Sequence, residues 1–136
     1  MILSYAKTWW SSFLGLGAVI ALQAFNSFQC YQHDVATFLM TVAVFVLVPL
    51  IPSLIAMMTR NPLCAWGGYI GFVPWLVFAY YVDCVRPQSD DGGASMVYVN
   101  VLLFGSLSCL LGVLLFAAVM WVFQIKVLKR HEREEA

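Results

Sequence analysis

Charge is scarce in this chain. Seven Lys/Arg and seven Asp/Glu make up 10% of its 136 residues, against about 25% in an average soluble domain. The charges sit at Lys7, Asp34 (beside His33), Arg60, the stretch from Asp83 to Asp91, and a tail that starts at Lys126. No Asp, Glu, Lys or Arg lies clearly within the blocks between these points. Proton-coupled transporters and ion pumps usually carry an intramembrane ionisable residue, so its lack counts against both. The chain has no CxxC pair, no TVGYG-like filter and no charged ring, which counts against thiol oxidases and ion channels. No lipobox precedes Cys30 and no low-complexity tract is present. The formal net charge is zero, which offers nothing for nucleic acid to hold.

What is present is apolar surface. The hydrophobic fraction is 62%, and a chain this short has too little volume to hide that much from water. Lipid is therefore the expected solvent. A spanning helix needs about 20 apolar residues. Four blocks qualify, at about 8–28, 35–58, 63–82 and 96–123. Backbone polar groups must be paired in hydrocarbon, so each block is expected to be a helix. The expected fold class is all-α: a single four-helix transmembrane bundle over 1–136, with 124–136 as a charged cytoplasmic tail. The tail sequence KVLKRHEREEA continues a helical pattern, and the fourth helix would be about 40 Å long at 1.5 Å per residue.

The basic residues set an orientation. With both termini cytoplasmic, Lys7, Arg60, Lys126, Lys129, Arg130 and Arg133 lie inside and Arg86 lies outside, as the positive-inside rule favours. Trp9, Trp10, Trp66 and Trp121 fall near the inner ends and Tyr31, Tyr80, Tyr81 and Tyr98 near the outer ends, both types suited to headgroup depth. Asp34, Asp83, Asp90 and Asp91 are then outside. The expected location is the bacterial inner membrane, as a multi-pass protein. A cleaved signal peptide is a rival reading of the first block. Lys7 is a weak charged region for one, and the residues near Ala24 lack a clean small-x-small site.

Cys30 and Cys84 flank the outer loops. An oxidising compartment there would allow a disulfide. Closing a loop of about 50 residues stabilises by about 4 kcal/mol in the chain-entropy model. Free thiols, or a redox or metal role, are the alternatives. His33 and Asp34 lie close to Cys30, and Asp83 beside Cys84, but no spacing matches a zinc site, which needs about four ligands. A polar turn between spans is the plainer reading of His33-Asp34. Cys64 falls at the inner boundary, and Cys109 reads as a small packing residue.

Three uncharged polar residues fall inside spans: Gln23, Asn26 and Asn100. Such groups seek partners in hydrocarbon. The expectation is one cluster of all three, joined by Tyr31 or Tyr98, fixing helices one and four or lining a notch for a partner. Small residues recur at four-residue spacing: Gly67 with Gly71, Ser11 with Gly15, Gly17 with Ala21, Gly105 with Cys109, and Ser108 with Gly112. They permit close helix approach, within the chain or between copies. Pro49, Pro52 and Pro74 each remove a backbone donor and favour a kink. The carbonyls of Phe45, Val48 and Ile70 lose their usual partners. Arg60-Asn61-Pro62 reads as a tight inner turn.

These assets are lateral rather than catalytic. No enzyme activity, cofactor or metal is expected. The lipid bilayer is one expected partner; another membrane-embedded protein, or a second copy, is the other. Bacterial immunity proteins against pore-forming toxins, and plasmid or phage exclusion proteins, are similar in size and span count. The four-span multidrug exporters are similar in size, and quinone-linked thiol oxidases in layout. An immunity or exclusion type of protein, or an accessory subunit, is the leading expectation. A small oligomeric transporter or channel is the alternative, and outer-face thiol redox the third.

Overall fold

The computed structural model describes residues 2–59, 61–85 and 93–128, with backbone alone at 2, 93–95 and 128. Arg60, Arg86, Pro87, Asp90, Asp91, Lys129, Arg130 and Arg133 lie outside the described residues, as does most of the proposed tail.

The protein is an all-α bundle. Helix α1 (Tyr5–Phe25) runs into a π-helical turn, Asn26–Cys30. Helix α2 (Val35–Val42) continues through a π-helical turn, Ala43–Leu47, before a break and helix α3 (Ile51–Met58). Helix α4 (Cys64–Tyr80) ends in a third π-helical turn, Tyr81–Val85, and helix α5 spans Gly93–Val122. Strands β1 (Ile2–Ser4) and β2 (Lys126–Leu128) flank the helices. Three helical stretches, Tyr5–Cys30, Cys64–Val85 and Met96–Val122, are long and apolar enough to cross a membrane. The bent pair Val35–Leu47 and Ile51–Met58 makes a fourth if it is one span.

Cross-links between elements fix the path. Ser12 Oγ donates to the Pro62 carbonyl at 2.7 Å, Asn26 Nδ2 to the Leu76 carbonyl at 3.3 Å, and Cys30 is bonded to Cys84. The partners advance together, so α1 and α4 run parallel. Helices α4 and α5 run antiparallel, with Gly67 against Gly112 and Gly71 against Ser108. The molecule thus has a cysteine end and a terminal end. At the terminal end β1 and β2 pair in parallel, Ile2 opposite Lys126 and Leu3 opposite Val127. Strands β1 and β2 therefore lie together at one end of the bundle.

The seam between α4 and α5 explains the glycines. A Cβ on Gly67 would collide with the Gly112 carbonyl, one on Gly112 with the Gly67 carbonyl, and one on Gly71 with the Ser108 carbonyl. Only bare backbone permits this approach. Trp75 closes the seam: its Nε1 donates to Ser108 Oγ at 2.9 Å, and its ring stacks on Phe104 at 5.5 Å.

The prolines act unequally. Pro49 lies in the turn that ends the first half of span two, and Pro52 lies in the first turn of α3. A first-turn proline costs no hydrogen bond, because that N–H has no helical acceptor. The Val48 carbonyl, which Pro52 cannot serve, accepts from the Ile51 N–H at 3.2 Å. The two halves meet at 72°. Pro74, by contrast, sits inside α4, which runs on to Tyr80.

One expectation fails. The described part of the tail, Lys126–Leu128, is a strand and does not continue the helix. The stop is Gln124, at φ 51°. Its N–H reaches the Trp121 carbonyl at 3.1 Å, and the Ile125 N–H reaches Met120 at 2.9 Å. This paired pattern is the Schellman termination, which usually places glycine at the left-handed position. Glutamine there gave no warning. Gln32, just past the first span, is also left-handed, at φ 50°.

Candidate functional site

One group of buried polar side chains lies toward the cysteine end. Gln23, Asn26 and Ser27 lie on consecutive inward faces of α1 and its π-turn, and all three are buried. Gln23 Nε2 donates to Ser27 Oγ and to the Tyr98 hydroxyl, both at 3.3 Å. Three residues on, Asn26 lies about 60° round the helix from Gln23, so it meets α4 while Gln23 meets α5. Gln23 Oε1 is buried with no protein partner.

Above this layer lies a second one. The Cys30–Cys84 bond spans a Cα–Cα distance of 5.8 Å and joins two π-turns. It brings their sequence neighbours together: the Tyr31 hydroxyl donates to Asp83. Tyr31 also stacks on His33 at 5.2 Å and meets the Tyr98 ring at 5.7 Å. Burial first, and the Asp83 hydrogen bond second, push the Tyr31 phenol above its ordinary value. His33 Nδ1 is buried without a protein partner.

Asp34 has a structural role. It is the N-cap of α2, its carboxylate accepting from the Thr37 hydroxyl and, at 3.3 Å, from the Thr37 N–H. The Thr37 side-chain bond, with the Thr37 amide after it, holds the Asp34 carboxyl below its usual range. The carboxylate also lies at a helix start, where negative charge is favoured.

The expected trio of Gln23, Asn26 and Asn100 does not assemble. Asn100 is exposed, while Tyr98, two residues earlier, is buried and meets Gln23. Two residues turn a helix by about 200°, so both cannot face inward. Tyr98 takes the place expected of Asn100. Sequence reading also missed Ser27, Asp83 as a partner, and Ser53. Ser27 stands four residues after Gln23, a spacing that marks one helix face. Asp83 and Tyr31 each adjoin a bonded cysteine. Ser53 Oγ donates to the Ala65 carbonyl at 3.1 Å and lies 3.2 Å from Cys109 Sγ. It pins α3 to α4 and α5 just past the break, and nothing in its sequence neighbourhood announced it.

The two cysteines of this cluster are bonded to each other. Cys64 and Cys109 are free and buried, Cys64 lying 3.9 Å from the Met120 sulfur. Among the described residues, no three His, Cys, Asp or Glu side chains converge as metal ligands. No family model, curated protein or solved structure matches the chain.

The small residues complete the picture. Ser11 accepts from Trp66 Nε1 at 3.1 Å, and a Cβ on Gly15 would lie 2.9 Å from the Tyr69 ring. A Cβ on Gly105 would lie 2.9 Å from Phe72, and Cys109 is fully buried. With the α4–α5 seam, these uses place four of the five small pairs inside the bundle. Gly17 and Ala21 are different. Both are exposed, and a Cβ on Gly17 would meet nothing within 4 Å. Trp10, Leu14 and Phe25 flank them on the same outward face of α1, Leu14 at 69% exposure.

Proposed function

We propose that this chain is a small non-enzymatic protein of the bacterial inner membrane that works by binding another membrane-embedded protein. Both termini lie in the cytoplasm and the disulfide end faces the oxidising side. An immunity or exclusion type of protein, or an accessory subunit of a membrane complex, fits this description. The observation that carries the reading is the outward Gly17–Ala21 face of α1. Lipid tails are as apolar as leucine, so helices associate in a bilayer where small residues allow backbones close together. This is the one small pair with no use inside the bundle. The charges support the orientation: Lys7 and Lys126 lie toward the terminal end, Asp34 and Asp83 toward the cysteine end.

The test is co-purification in mild detergent. The wild-type chain should bring down a second polypeptide, and Gly17→Leu should bring down far less while keeping its own yield. A chain that isolates alone, and whose deletion alters no toxin or complex phenotype, contradicts the proposal.

A second reading has one observation in its favour. The 72° break in span two resembles the interrupted helices that line transporter sites. An oligomeric transporter built on that break would show flux in reconstituted vesicles, abolished when Pro49 and Pro52 are both replaced by Ala. Thiol redox at Cys30 and Cys84 is the third reading. It requires mixed disulfides that a thiol trap captures.

A further inference from the structure

Two cavities at the terminal end share a wall. One, of about 720 Å³, is lined by Asn61, Trp121, Gln124 and Lys126 among others. The second, of about 490 Å³, is an apolar groove between α3 and α5, with Pro52, Ile55, Leu110 and Val113 in its walls. Asn61 and Ala117 belong to both. The two therefore adjoin and together make a cleft, with Asn61, Gln124 and one lysine among apolar side chains at the terminal end and an oily groove further in.

Each part has a structural cause. The proline break swings α3 72° off the line of α2, which opens the groove beside α5. The Gln124 stop ends α5, and the strand that follows pairs with β1 and fixes the Lys126 backbone opposite Ile2. The cleft thus stands on ordered backbone. Trp121, 82% exposed, borders it with the aromatic type favoured at headgroup depth. The groove follows α5 from Leu110 to Ala117, about 10 Å of helix at 1.5 Å per residue.

We propose that this cleft binds one anionic phospholipid, its phosphate at Lys126, Gln124 and Asn61 and one acyl chain between α3 and α5. The ammonium and the two side-chain amides are hydrogen-bond donors that suit phosphate oxygens. A protein helix would suit the apolar groove but not the lysine and amides of the pocket that continues it; an amphiphile suits both. The inference rests on the chain spanning a bilayer. It is independent of the α1 face, no residue of which lines either cavity.

The experiment is native mass spectrometry of the full chain from nanodiscs of phosphatidylglycerol, of phosphatidylcholine, and of an equal mixture. One lipid should stay bound per chain, phosphatidylglycerol preferred about fivefold, the factor expected for one lysine at an anionic surface. Lys126→Gln, at an exposed position, should erase the preference. Val113→Trp, which fills the groove, should reduce retention of both lipids, and Gly17→Leu should change neither result. Equal retention of the two lipids, insensitivity to Lys126→Gln, or inorganic phosphate binding as well as the lipid would each overturn the proposal. A polypeptide in the cleft would do the same. A chain that failed to enter nanodiscs at all would instead remove the membrane reading beneath it.

Discussion

Helices α1 and α5 are both packed on α4, but by different means. Helix α5 meets α4 backbone to backbone through Gly67, Gly71, Ser108 and Gly112. Helix α1 is held by side chains: Ser12 to Pro62, Ser11 to Trp66, Asn26 to Leu76, and the Cys30–Cys84 bond at its far end. The close seam uses up the small residues that make it. The tethered helix needs few of them and presents the rest outward. A helix fixed by polar bonds and one covalent link leaves Gly17 and Ala21 outside the packing. Under the proposed function, that difference separates scaffold from docking surface.

The largest effect expected is on the tether. Cys84→Ser opens a link between residues 54 apart, and loses about 4 kcal/mol of stability if the chain-entropy account holds. Thermal unfolding in detergent, with and without reductant, reads it. The wild type under reductant should match the variant. Next is the seam: Gly67→Leu drives a side chain into the Gly112 carbonyl and should cost about 3 kcal/mol or more. Gly17→Leu, in open space, should stay within about 0.5 kcal/mol of wild type. Equal losses at the two glycines would erase the distinction between seam and open face.

The polar residues offer a milder version of the same contrast. Gln23→Ala removes bonds to Ser27 and Tyr98 and should cost about 0.6 to 1.7 kcal/mol, the range for such bonds in membranes. Asn100→Ala, at an exposed site, should cost nothing measurable. The smallest effect concerns the fully exposed cap of α2. The Asp34 carboxyl sits below its usual range in the folded chain because Thr37 bonds it. Its contribution is therefore present above about pH 4, the unfolded value, and fades as pH falls through the lower folded value. Thr37→Val should flatten that acid-side slope in melting temperature between about pH 5 and pH 2.

Much of this architecture is legible in the sequence, for a physical reason. Lipid demands long apolar helices, so scarce charges mark their ends, and helix crossings force the small-residue pattern. The disulfide was readable because Cys30 and Cys84 fall at the same ends of neighbouring helices. The break at Pro49 and Pro52 was readable because proline removes a donor. What was hidden depends on rotation and on unusual backbone. Asn100 was placed inside because spacing along a uniformly apolar helix does not say which way a residue faces. The end of α5 was missed because Gln124 takes the left-handed conformation that glycine usually marks. Three π-turns, at Asn26–Cys30, Ala43–Leu47 and Tyr81–Val85, leave no sequence signature. Ser27 was within reach of its four-residue spacing from Gln23, whereas the inward face of Tyr98 shows only once the rotation of α5 is known.

The most direct test uses a photo-reactive residue at position 17 in living membranes, with position 107, another exposed site on α5, as its counterpart. The tethered-helix account predicts a covalent polypeptide adduct from position 17 and lipid adducts alone from 107. Lipid adducts alone from both, or the same protein adduct from both, would contradict it.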